Sequence, residues 1–387
     1  MSDFAIICEF NPLHRGHQYL IEQARKMGAD RVVCVMSGAA VQRGSLAVTD
    51  PYVRAESAIR AGADLVLELP FPWSAASAEQ FARGGVAIAS QVADTLMFGS
   101  ECGDLPLLKK AASLAADETF RESYRQNLSE GVPAAEAYYR LLEGSVGSPL
   151  SSNDLLGMEY LRAIVESGVN MKALTVKRNG AAYGQTELSP DVFPSATGIR
   201  ALWEKGDFEG ATGYLPEGCA RTYRQAFECG AFVSEKKLES LILGWFRLHE
   251  GDDFEKIAGA ESGLCRRFCS VASEVTSLEE FYEKIRTKRY TDAHIRRTLL
   301  YCLLGVLPED LSGVPQYTTL LAANERGRAI LSEKRKSAAL PIVTKPTDAP
   351  SDTAQYRLTE KLNRLYSLAT ERTETGGALL KKTPFIL

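Results

Sequence analysis

The sequence predicts an α/β protein with a doubly wound parallel sheet in residues 1–205 and a mostly helical domain in residues 206–387. Over the first 100 residues, continuous apolar runs alternate with amphipathic helical spacing, as in parallel sheets covered by helices on both faces. From about residue 230 onward, apolar residues recur mainly at helical spacing. A chain of 387 residues is also too long for one ordinary core, which favours two domains.

Short β-rich runs predict the strands of the first domain, and periodic stretches between them predict its helices. The predicted strands are Phe4–Cys8, Arg31–Met36, Leu65–Leu69, Thr95–Phe98 and Ala173–Val176. The predicted helices are His17–Met27, Pro51–Ala61 and Ser77–Ser90, and Ser195 is expected to cap a further helix.

Helical spacing predominates in the second half of the chain. Predicted helices are Leu238–Phe246, Leu278–Arg286, Ala293–Leu304, Thr318–Ser332 and Thr353–Glu371. Leu340–Thr344 is a short strand candidate, which its proline restricts to a sheet edge.

Composition excludes several classes of protein. The chain is 45% hydrophobic and 24% charged, and no run of 18 apolar residues predicts a membrane span. Its N-terminus lacks the basic and apolar regions of a secretory signal. The eight cysteines are scattered and there are only four histidines, so few metal ligands are available and we expect no dedicated metal site. We also expect the cysteines to be reduced thiols, as in a cytoplasmic protein.

The segment His14-Arg15-Gly16-His17 lies between the first predicted strand and the first predicted helix. Unpaired N–H groups and the helix dipole make a helix N-terminus attractive to phosphate. Two imidazoles there can donate hydrogen bonds to an α-phosphate as negative charge develops, which makes His14 and His17 the catalytic candidates. The alternative is a surface loop whose histidines only cap a helix.

A second phosphate-binding candidate begins at Ser195. Hydroxyls at a helix start form an anion cradle together with free amides, and an arginine adds a bidentate contact. The sequence therefore predicts phosphate contacts from Ser195, Thr197 and Arg200. An ordinary capped helix with an exposed arginine is the alternative.

Together with these segments, further motifs resemble the bacterial tRNA(Met) cytidine acetate ligase family. They are Phe10-Asn11-Pro12-Leu13, Met36-Ser37-Gly38, Val41-Gln42-Arg43-Gly44, Phe98-Gly99-Ser100-Glu101, Ser152-Asn153-Asp154, Lys177-Arg178 and Thr287-Lys288-Arg289-Tyr290-Thr291. The resemblance spans roughly residues 3 to 305. It implies a nucleotidyltransferase fold that converts ATP and acetate to acetyl-adenylate and pyrophosphate. The acetyl group then passes to the wobble cytidine of elongator methionine tRNA.

By position, the resemblance implies a set of ATP contacts that surround the His-x-Gly-His segment. They are Ile7, Cys8, Glu9, Phe10, Asn11, Pro12, Gly16, His17, Leu20, Gly99, Asn153 and Arg178. Gly99 is also expected at the carboxyl edge of the sheet, where ligands of open α/β sheets bind. Mg²⁺ is a possible companion of ATP.

One pair of residues departs from the family pattern. Ala39 and Ala40 stand where an asparagine and a phenylalanine are expected. Loss of that amide and that ring could alter the acyl pocket or the tRNA contact.

A basic segment is the candidate RNA-binding surface. It contains Arg286, Lys288, Arg289, Arg296 and Arg297, and Tyr290 could stack on a splayed base. On one helix, Arg289, Arg296 and Arg297 would share a face, although a solvated charged face is the alternative. Lys334–Lys336 and Lys381–Lys382 are weaker candidates.

The remaining polar candidates have weaker patterns. Asp50, Arg54 and Glu56 would line the mouth of the site or a solvated helix face. Glu68, inside an apolar strand, would be functional or part of a buried ion pair. We assign no chemical role to His249 and His294.

Two other functions remain open from sequence. A nucleotidyltransferase that makes a small-molecule cofactor would release pyrophosphate without RNA. A non-catalytic, nucleotide-regulated RNA-binding protein would bind ATP without turnover.

Overall fold

The computed structural model of the protein describes residues 1–130, 132, 134–178, 195–260, 263–334 and 338–387. The strands are β1 Asp3–Cys8, β2 Arg31–Ser37, β3 Ala40–Val41, β4 Ser45–Leu46, β5 Leu65–Leu69, β6 Thr95–Ser100, β7 Lys172–Lys177, β8 Thr318–Ala323, β9 Ile342–Val343 and β10 Phe385–Ile386. The helices of the first half are α1 Arg15–Lys26, α2 Pro51–Arg60, α3 Ala78–Val92, α4 Leu105–Ala116, α5 Glu118–Ser129, α6 Ala134–Val146, α7 Ser152–Ser167 and α8 Ala196–Glu204. The later helices are α9 Phe208–Thr212, α10 Cys219–Glu228, α11 Glu235–Arg247, α12 Leu264–Glu274, α13 Leu278–Ile285, α14 Asp292–Leu304, α15 Glu325–Lys334 and α16 Ala354–Ala369.

Among the described residues, the main sheet has the strand order β10-β8-β5-β2-β1-β6-β7, and β9 pairs with β8. Neighbouring strands are parallel except β5 and β8, which pair antiparallel. The chain runs outward from β1 through β2 to β5, and then returns to the other side of β1 to form β6 and β7. The strand order therefore reverses between β1 and β6, and such a reversal opens a crevice at the carboxyl ends of the strands.

Both faces of the sheet are covered. Ala5 and Ile7 of β1 pack in one cluster with α3 and α7, whereas Phe4 and Ile6 pack in another with α1, α2 and α8. A third cluster joins α11–α14 and α16 to the β3–β4 hairpin. The predicted α/β class with a helical later region is thereby confirmed.

The five predicted strands of the first half are present, each within two residues of its predicted bounds. The helix predicted over Thr318–Ser332 is wrong in its first half, because Thr318–Ala323 forms the buried strand β8. A short apolar run without alternation does not distinguish a buried strand from a buried helix. The edge strand predicted in Leu340–Thr344 is confirmed by β9.

Strands β8, β9 and β10 come from the second half of the chain and extend the sheet of the first half. The division into residues 1–205 and 206–387 stays a prediction. In the part of the chain that the structure describes, no helix is both long enough and apolar enough to cross a bilayer.

Candidate functional site

A cavity of about 1330 Å³ lies at the carboxyl ends of β1 and β6. It brings together fourteen of the residues predicted to act on or bind the nucleotide. They are Ile7, Cys8, Glu9, Phe10, Asn11, His14, His17, Leu20, Gly99, Asn153, Arg178, Ser195, Thr197 and Arg200. Pro12 and Gly16 belong to the same turn but are not part of the described cavity lining.

His14 and His17 form a stacked pair at the N-terminus of α1. Their ring centroids are 3.8 Å apart, with an angle of 26° between the ring planes. The Nδ1 atom of His14 accepts the N–H of Gly16 at 3.1 Å, and the Nδ1 atom of His17 accepts the N–H of His14 at 3.3 Å. An Nδ1 atom that accepts a hydrogen bond carries no proton in the neutral ring, which assigns the ring proton to Nε2 in both residues. The helix cap thus makes each imidazole an Nε2–H donor.

The surroundings favour the uncharged form of both rings. Burial, together with Arg178 and Arg200, lowers the pKa of His14 to about 3. Burial, His14 and Arg178 lower the pKa of His17 well below its ordinary value. Protonation of both imidazoles would place two positive charges next to each other and beside arginines, which is unfavourable. We therefore expect both rings to be neutral hydrogen-bond donors at neutral pH.

The turn that leaves β1 is held by backbone contacts. Phe10 has a φ of 46°, a left-handed conformation that is costly for an aromatic residue and is therefore maintained by its surroundings. The side chain of Asn11 accepts the N–H of Val48 at 2.7 Å, and its carbonyl accepts Arg200 at 2.5 Å. The N–H of Leu13 donates to the hydroxyl of Tyr223 at 2.9 Å. These contacts fix the direction in which α1 starts.

Arg200 and Ser195 belong to α8, which starts as the sequence predicts. Ser195 caps the helix by accepting the N–H of Gly198 at 3.0 Å. The Nη2 atom of Arg200 donates to the hydroxyl of Thr197 at 3.2 Å. Because Arg200 also contacts Asn11, the start of α8 is joined directly to the turn that carries the histidines.

On the other side of the crevice, Gly99 and Arg178 lie against each other. A Cβ atom at position 99 would be 3.1 Å from Cγ of Arg178. The glycine therefore allows the side chain of Arg178 to pack closely against the backbone of residue 99. Arg178 is 3.6 Å from Glu101, and Glu101 also accepts the amide of Asn153 at 2.5 Å. The motifs that contain Gly99, Asn153 and Arg178 therefore meet at one corner of the cavity.

Arg54 lies neither at the mouth of the site nor on a solvated face, and both sequence interpretations were wrong. Its side chain is wholly buried and donates to the carbonyls of Thr49, Glu9, Ser37 and Gly38. These carbonyls belong to the ends of β1 and β2 and to the start of α2. Arg54 therefore holds together the loops that follow β1 and β2 and the start of α2.

Neighbouring Asp50 accepts the N–H of Tyr52 at 2.8 Å and caps α2, also without reaching the cavity mouth. Glu56 pairs with Arg60 on the same helix and accepts the hydroxyl of Thr222.

For Glu68, burial raises the pKa, while a hydrogen bond from Thr319 opposes that shift. Within the described residues Glu68 takes part in no ion pair, so the buried ion pair, one of the two alternatives left open by the sequence, is wrong.

Residue 42 connects the turn that leaves β1 to α14. The N–H of Gln42 donates to Oε1 of Glu9 at 2.7 Å, and its carbonyl accepts Nη1 of Arg297 at 3.3 Å. Gly44, with a φ of 78°, lies so close to α14 that a Cβ atom would be 2.4 Å from the backbone nitrogen of Arg297. The hairpin thus needs glycine there in order to dock on the helix.

The basic segment does not form the single helical face that the sequence predicted. Arg289 precedes α14, in a turn closed by a bridge between Thr287 and Tyr290. Arg286 follows α13 and pairs with Asp292 at 2.9 Å. Helical spacing fails here because the helix starts at residue 292.

The members of the segment also differ in exposure. Arg286, Lys288 and Arg289 are exposed, whereas Arg296 is half-buried over the ring of Tyr282 and Arg297 is half-buried against Gln42. Arg289 and Arg297 line the cavity. The weaker candidates Arg335 and Lys336 lie outside the described residues, and Lys382 pairs with Asp50.

Ala39 and Ala40 are buried in the core cluster between the hairpin and the later helices. They are absent from the described lining of the cavity. The departure from the family pattern therefore changes packing beneath the hairpin rather than the described surface of the site.

Several lining residues were missed by the sequence predictions. They include Gln42, Arg43, Phe98, Tyr124, Tyr138, Glu159, Tyr160 and His294. The quoted motifs already contained Gln42, Arg43 and Phe98, whereas helical spacing gives no sign of which side of α5, α6 or α7 faces a ligand. His294 had been assigned no role, although it stands three residues after a quoted motif.

No group of three or more His, Cys, Asp or Glu side chains is placed to hold a metal ion within the described ranges.

Comparison with known proteins agrees with this geometry. The HIGH nucleotidyl transferase family matches residues 1–378. The tRNA(Met) cytidine acetate ligase of Caldanaerobacter subterraneus subsp. tengcongensis is 35% identical over 376 residues, which cover 93% of each chain. The corresponding protein of Thermotoga maritima is 35% identical over 393 residues, covering 93% of this chain and 94% of that protein.

Crystal structures of Thermotoga maritima TmcAL superpose over the full length of both chains. The apo form has a TM-score of 0.92 at 32% identity, and the form bound to alpha-thio ATP has a TM-score of 0.90 at 31% identity. Full-length similarity at this level of identity, together with the shared fold, shows that the chain belongs to the tRNA(Met) cytidine acetate ligase family of HIGH nucleotidyltransferases.

Proposed function

We propose that the cavity is where this ATP-dependent tRNA(Met) cytidine acetate ligase forms acetyl-adenylate and passes the acetyl group to the wobble cytidine of elongator methionine tRNA. One observation carries the proposal. Two stacked imidazoles, whose Nδ1 atoms accept backbone N–H groups of the helix cap, stand at a helix N-terminus inside a cavity that arginines also line. That arrangement suits a phosphorus centre on which negative charge accumulates.

In the first step, an acetate oxygen attacks the α-phosphorus of ATP, and pyrophosphate leaves. Acetate is already ionised at neutral pH, so the attack needs no general base. His14 and His17 donate hydrogen bonds to the α-phosphate oxygens as charge builds in the transition state. Arg178 and Arg200 bind the outer phosphates, and Ser195 and Thr197 complete the cradle at the start of α8.

The nucleotide lies along the turn that leaves β1 and reaches the corner formed by Gly99, Asn153 and Arg178. Mg²⁺, if it accompanies the nucleotide, would neutralise part of the charge on the phosphates during attack on the α-phosphorus. The remaining predicted contacts, from Ile7 to Leu20, surround the adenosine.

In the second step, the exocyclic amine of cytidine attacks the acetyl carbon, and AMP leaves. A cytosine amine is a weak nucleophile, so close positioning supplies much of the rate. Exposed Arg286, Lys288 and Arg289 bind phosphates of the tRNA near the cavity mouth, while Arg296 and Arg297 support them from α14. With a tRNA substrate, we expect the enzyme to act in the cytoplasm.

ATP–pyrophosphate exchange with and without acetate tests the first step, and transfer of labelled acetate to methionine tRNA tests the second. We expect exchange to require acetate and His17→Ala to lower exchange about 10²- to 10³-fold, as when one transition-state donor is removed. His249→Ala, outside the cavity, is the matched control and should keep the wild-type rate.

The two alternative functions give different results in the same assays. Exchange that depends on another small molecule, with acetate inert, would indicate a cofactor-forming nucleotidyltransferase. ATP binding without exchange, insensitive to His17→Ala, would indicate a nucleotide-regulated RNA-binding protein.

A further inference from the structure

Glu101 lies next to the corner of the cavity that Gly99, Asn153 and Arg178 form. It follows β6 directly and is not part of the described lining, whereas Asn153 and Arg178 both line the cavity. Its Oε1 atom accepts the side-chain N–H of Asn153 at 2.5 Å and is 3.6 Å from Nε of Arg178. One carboxylate oxygen therefore contacts two residues for which the sequence predicts nucleotide contacts.

The start of α7 is bonded to the loop that carries Glu101. The Oε2 atom of Glu101 accepts the hydroxyl of Ser151, the N-cap residue of α7. Asp154 accepts the backbone N–H of Cys102 at 3.1 Å and that of Ser151 at 2.9 Å. Because Cys102 follows Glu101 in the chain, these bonds keep Glu101 beside Asn153. The contact between the two side chains thus belongs to a network that also includes the backbone.

The carboxylate decides which end of the Asn153 amide faces it. A carboxylate only accepts hydrogen bonds, and donors of Ser151, Asn153 and Arg178 surround that of Glu101. An asparagine amide has a donating nitrogen at one end and an accepting oxygen at the other. Contact with Glu101 therefore turns Nδ2 toward the carboxylate and leaves Oδ1 on the other side of the amide. Without such a partner, either end of an amide can face a ligand.

The orientation of the amide restricts the ligand groups that this corner can bind. An amide oxygen accepts hydrogen bonds, so its partner must be an N–H or O–H group. Ionised phosphate oxygens are acceptors, and they are bound by arginines instead. The donors of adenosine are the exocyclic amine of adenine and the ribose hydroxyls.

Resting on the proposed function, we propose that Glu101 is a positioning residue, which holds the amide of Asn153 so that its oxygen binds a hydrogen-bond donor of the nucleoside. Asn153 contacts the nucleotide, and Glu101 acts through Asn153. The corner thereby selects nucleotides by a donor on the base or the sugar, whereas the arginines bind the phosphates. Glu101 takes no part in the making or breaking of bonds.

The test compares equilibrium binding of nucleotides to the full-length protein by titration calorimetry. Purine riboside triphosphate lacks the amine of ATP, and 2′-deoxy-ATP and 3′-deoxy-ATP each lack one ribose hydroxyl. One of these analogues should bind the wild-type protein about 5- to 100-fold more weakly than ATP, because it leaves the amide oxygen unpaired. That analogue identifies the donor.

Variants then show whether Glu101 causes this preference. Glu101→Met keeps a side chain of similar length without the carboxylate, and the protein should stay folded because the side chain of Glu101 is 37% exposed. In Glu101→Met and in Asn153→Ala, we expect the same analogue to bind within about threefold of ATP. Glu101→Gln retains an accepting oxygen and should keep most of the preference. Glu255→Gln, an exposed carboxylate paired with Arg266, is the matched control and should keep all of it.

The ratio of the two dissociation constants is the measurement that decides, because general damage to the site weakens every nucleotide alike and cancels. Analogues that all bind the wild-type protein like ATP would overturn the proposal. A preference that survives in Glu101→Met would show that Asn153 is oriented without Glu101, and would overturn it too. A preference lost equally in Glu101→Gln would overturn the role of the accepting oxygen. Failure of the proposed function is distinct, because it would appear as absence of acetate-dependent exchange, whereas these binding constants need no acetate.

Discussion

Acidification should destabilise the folded protein through His14 and His17. The folded-state pKa of His14 is lowered to about 3 and that of His17 well below its ordinary value, chiefly by burial. In the unfolded chain an imidazole has a pKa of about 6.5, so the unfolded state binds protons that the folded state excludes. The stabilisation is therefore present above pH 6.5 and is lost as the pH falls toward the folded-state values.

The size of the loss follows from proton linkage. Between pH 7.5 and pH 5.5, protonation stabilises each unfolded imidazole by about 1.4 kcal/mol, while the folded rings remain neutral. The pair should therefore lower the free energy of unfolding by about 2.7 kcal/mol over this interval. Buried carboxylates act in the opposite direction, since burial raises the pKa of Glu159 to about 7 and the folded state binds a proton there.

A double variant isolates the histidine contribution from these opposing groups. His14→Asn together with His17→Asn removes both titrations, and each amide oxygen can replace Nδ1 as acceptor in the helix cap. Urea denaturation of both proteins at pH 7.5 and pH 5.5 gives the two pH-dependent losses. The wild-type loss should exceed that of the variant by about 2.7 kcal/mol. Equal losses would refute the conclusion that the imidazoles are buried and neutral.

Three further changes test the supports of the site. Gly44→Ala should lower the free energy of unfolding by about 2–5 kcal/mol, since it combines positive-φ strain with overlap against α14. Gly206→Ala, with a similar φ of 77° and open space, should cost only about 1 kcal/mol in the same urea titration. Arg54→Met should cost more than about 3 kcal/mol because buried carbonyls lose their donor, whereas the surface variant Arg60→Met should cost under about 1 kcal/mol. Lys288→Ala should weaken tRNA binding and reduce the salt dependence of log K by about 0.7–0.9, and an unchanged slope would exclude Lys288 from the interface.

The sequence predicted those elements whose formation depends on residues close together in the chain. Strands such as Leu65–Leu69 are continuous apolar runs between helices, and both their existence and their bounds follow from that pattern. The cap at Ser195 was also predicted, because a hydroxyl before an amphipathic run satisfies amides of the first turn. In contrast, β10 has only two residues, and it pairs with β8 from more than sixty positions away. Nothing local in the sequence specifies that partner.

Some features of the site could likewise be predicted from short segments of sequence, and others could not. The meeting of the proposed phosphate-binding residues in one cavity could be predicted, because they lie in two short segments at helix starts, where amides and charge favour anions. The docking of the later helices could not, because it depends on contacts such as that between Arg297 and the carbonyl of Gln42. A backbone carbonyl occurs at every position, so no residue type marks the acceptor. The burial of Arg54 was missed for this reason as well, since all its described acceptors are carbonyls.

In the proposed reaction, the two steps use walls that come from distant parts of the chain, and residue 42 connects these walls. The proposed nucleotide wall ends in Glu9, and the proposed RNA-facing wall begins at α14. The N–H of residue 42 donates to the first wall, and its carbonyl accepts Arg297 of the second. The peptide groups of residue 42 have a fixed direction in the hairpin, and each contacts one side chain, the carboxylate of Glu9 or the guanidinium of Arg297. Correct spacing between acetyl-adenylate and cytidine therefore depends on the close approach of the hairpin to α14. Since the absence of a side chain at Gly44 permits that approach, a stable Gly44→Ala protein should retain exchange more fully than transfer.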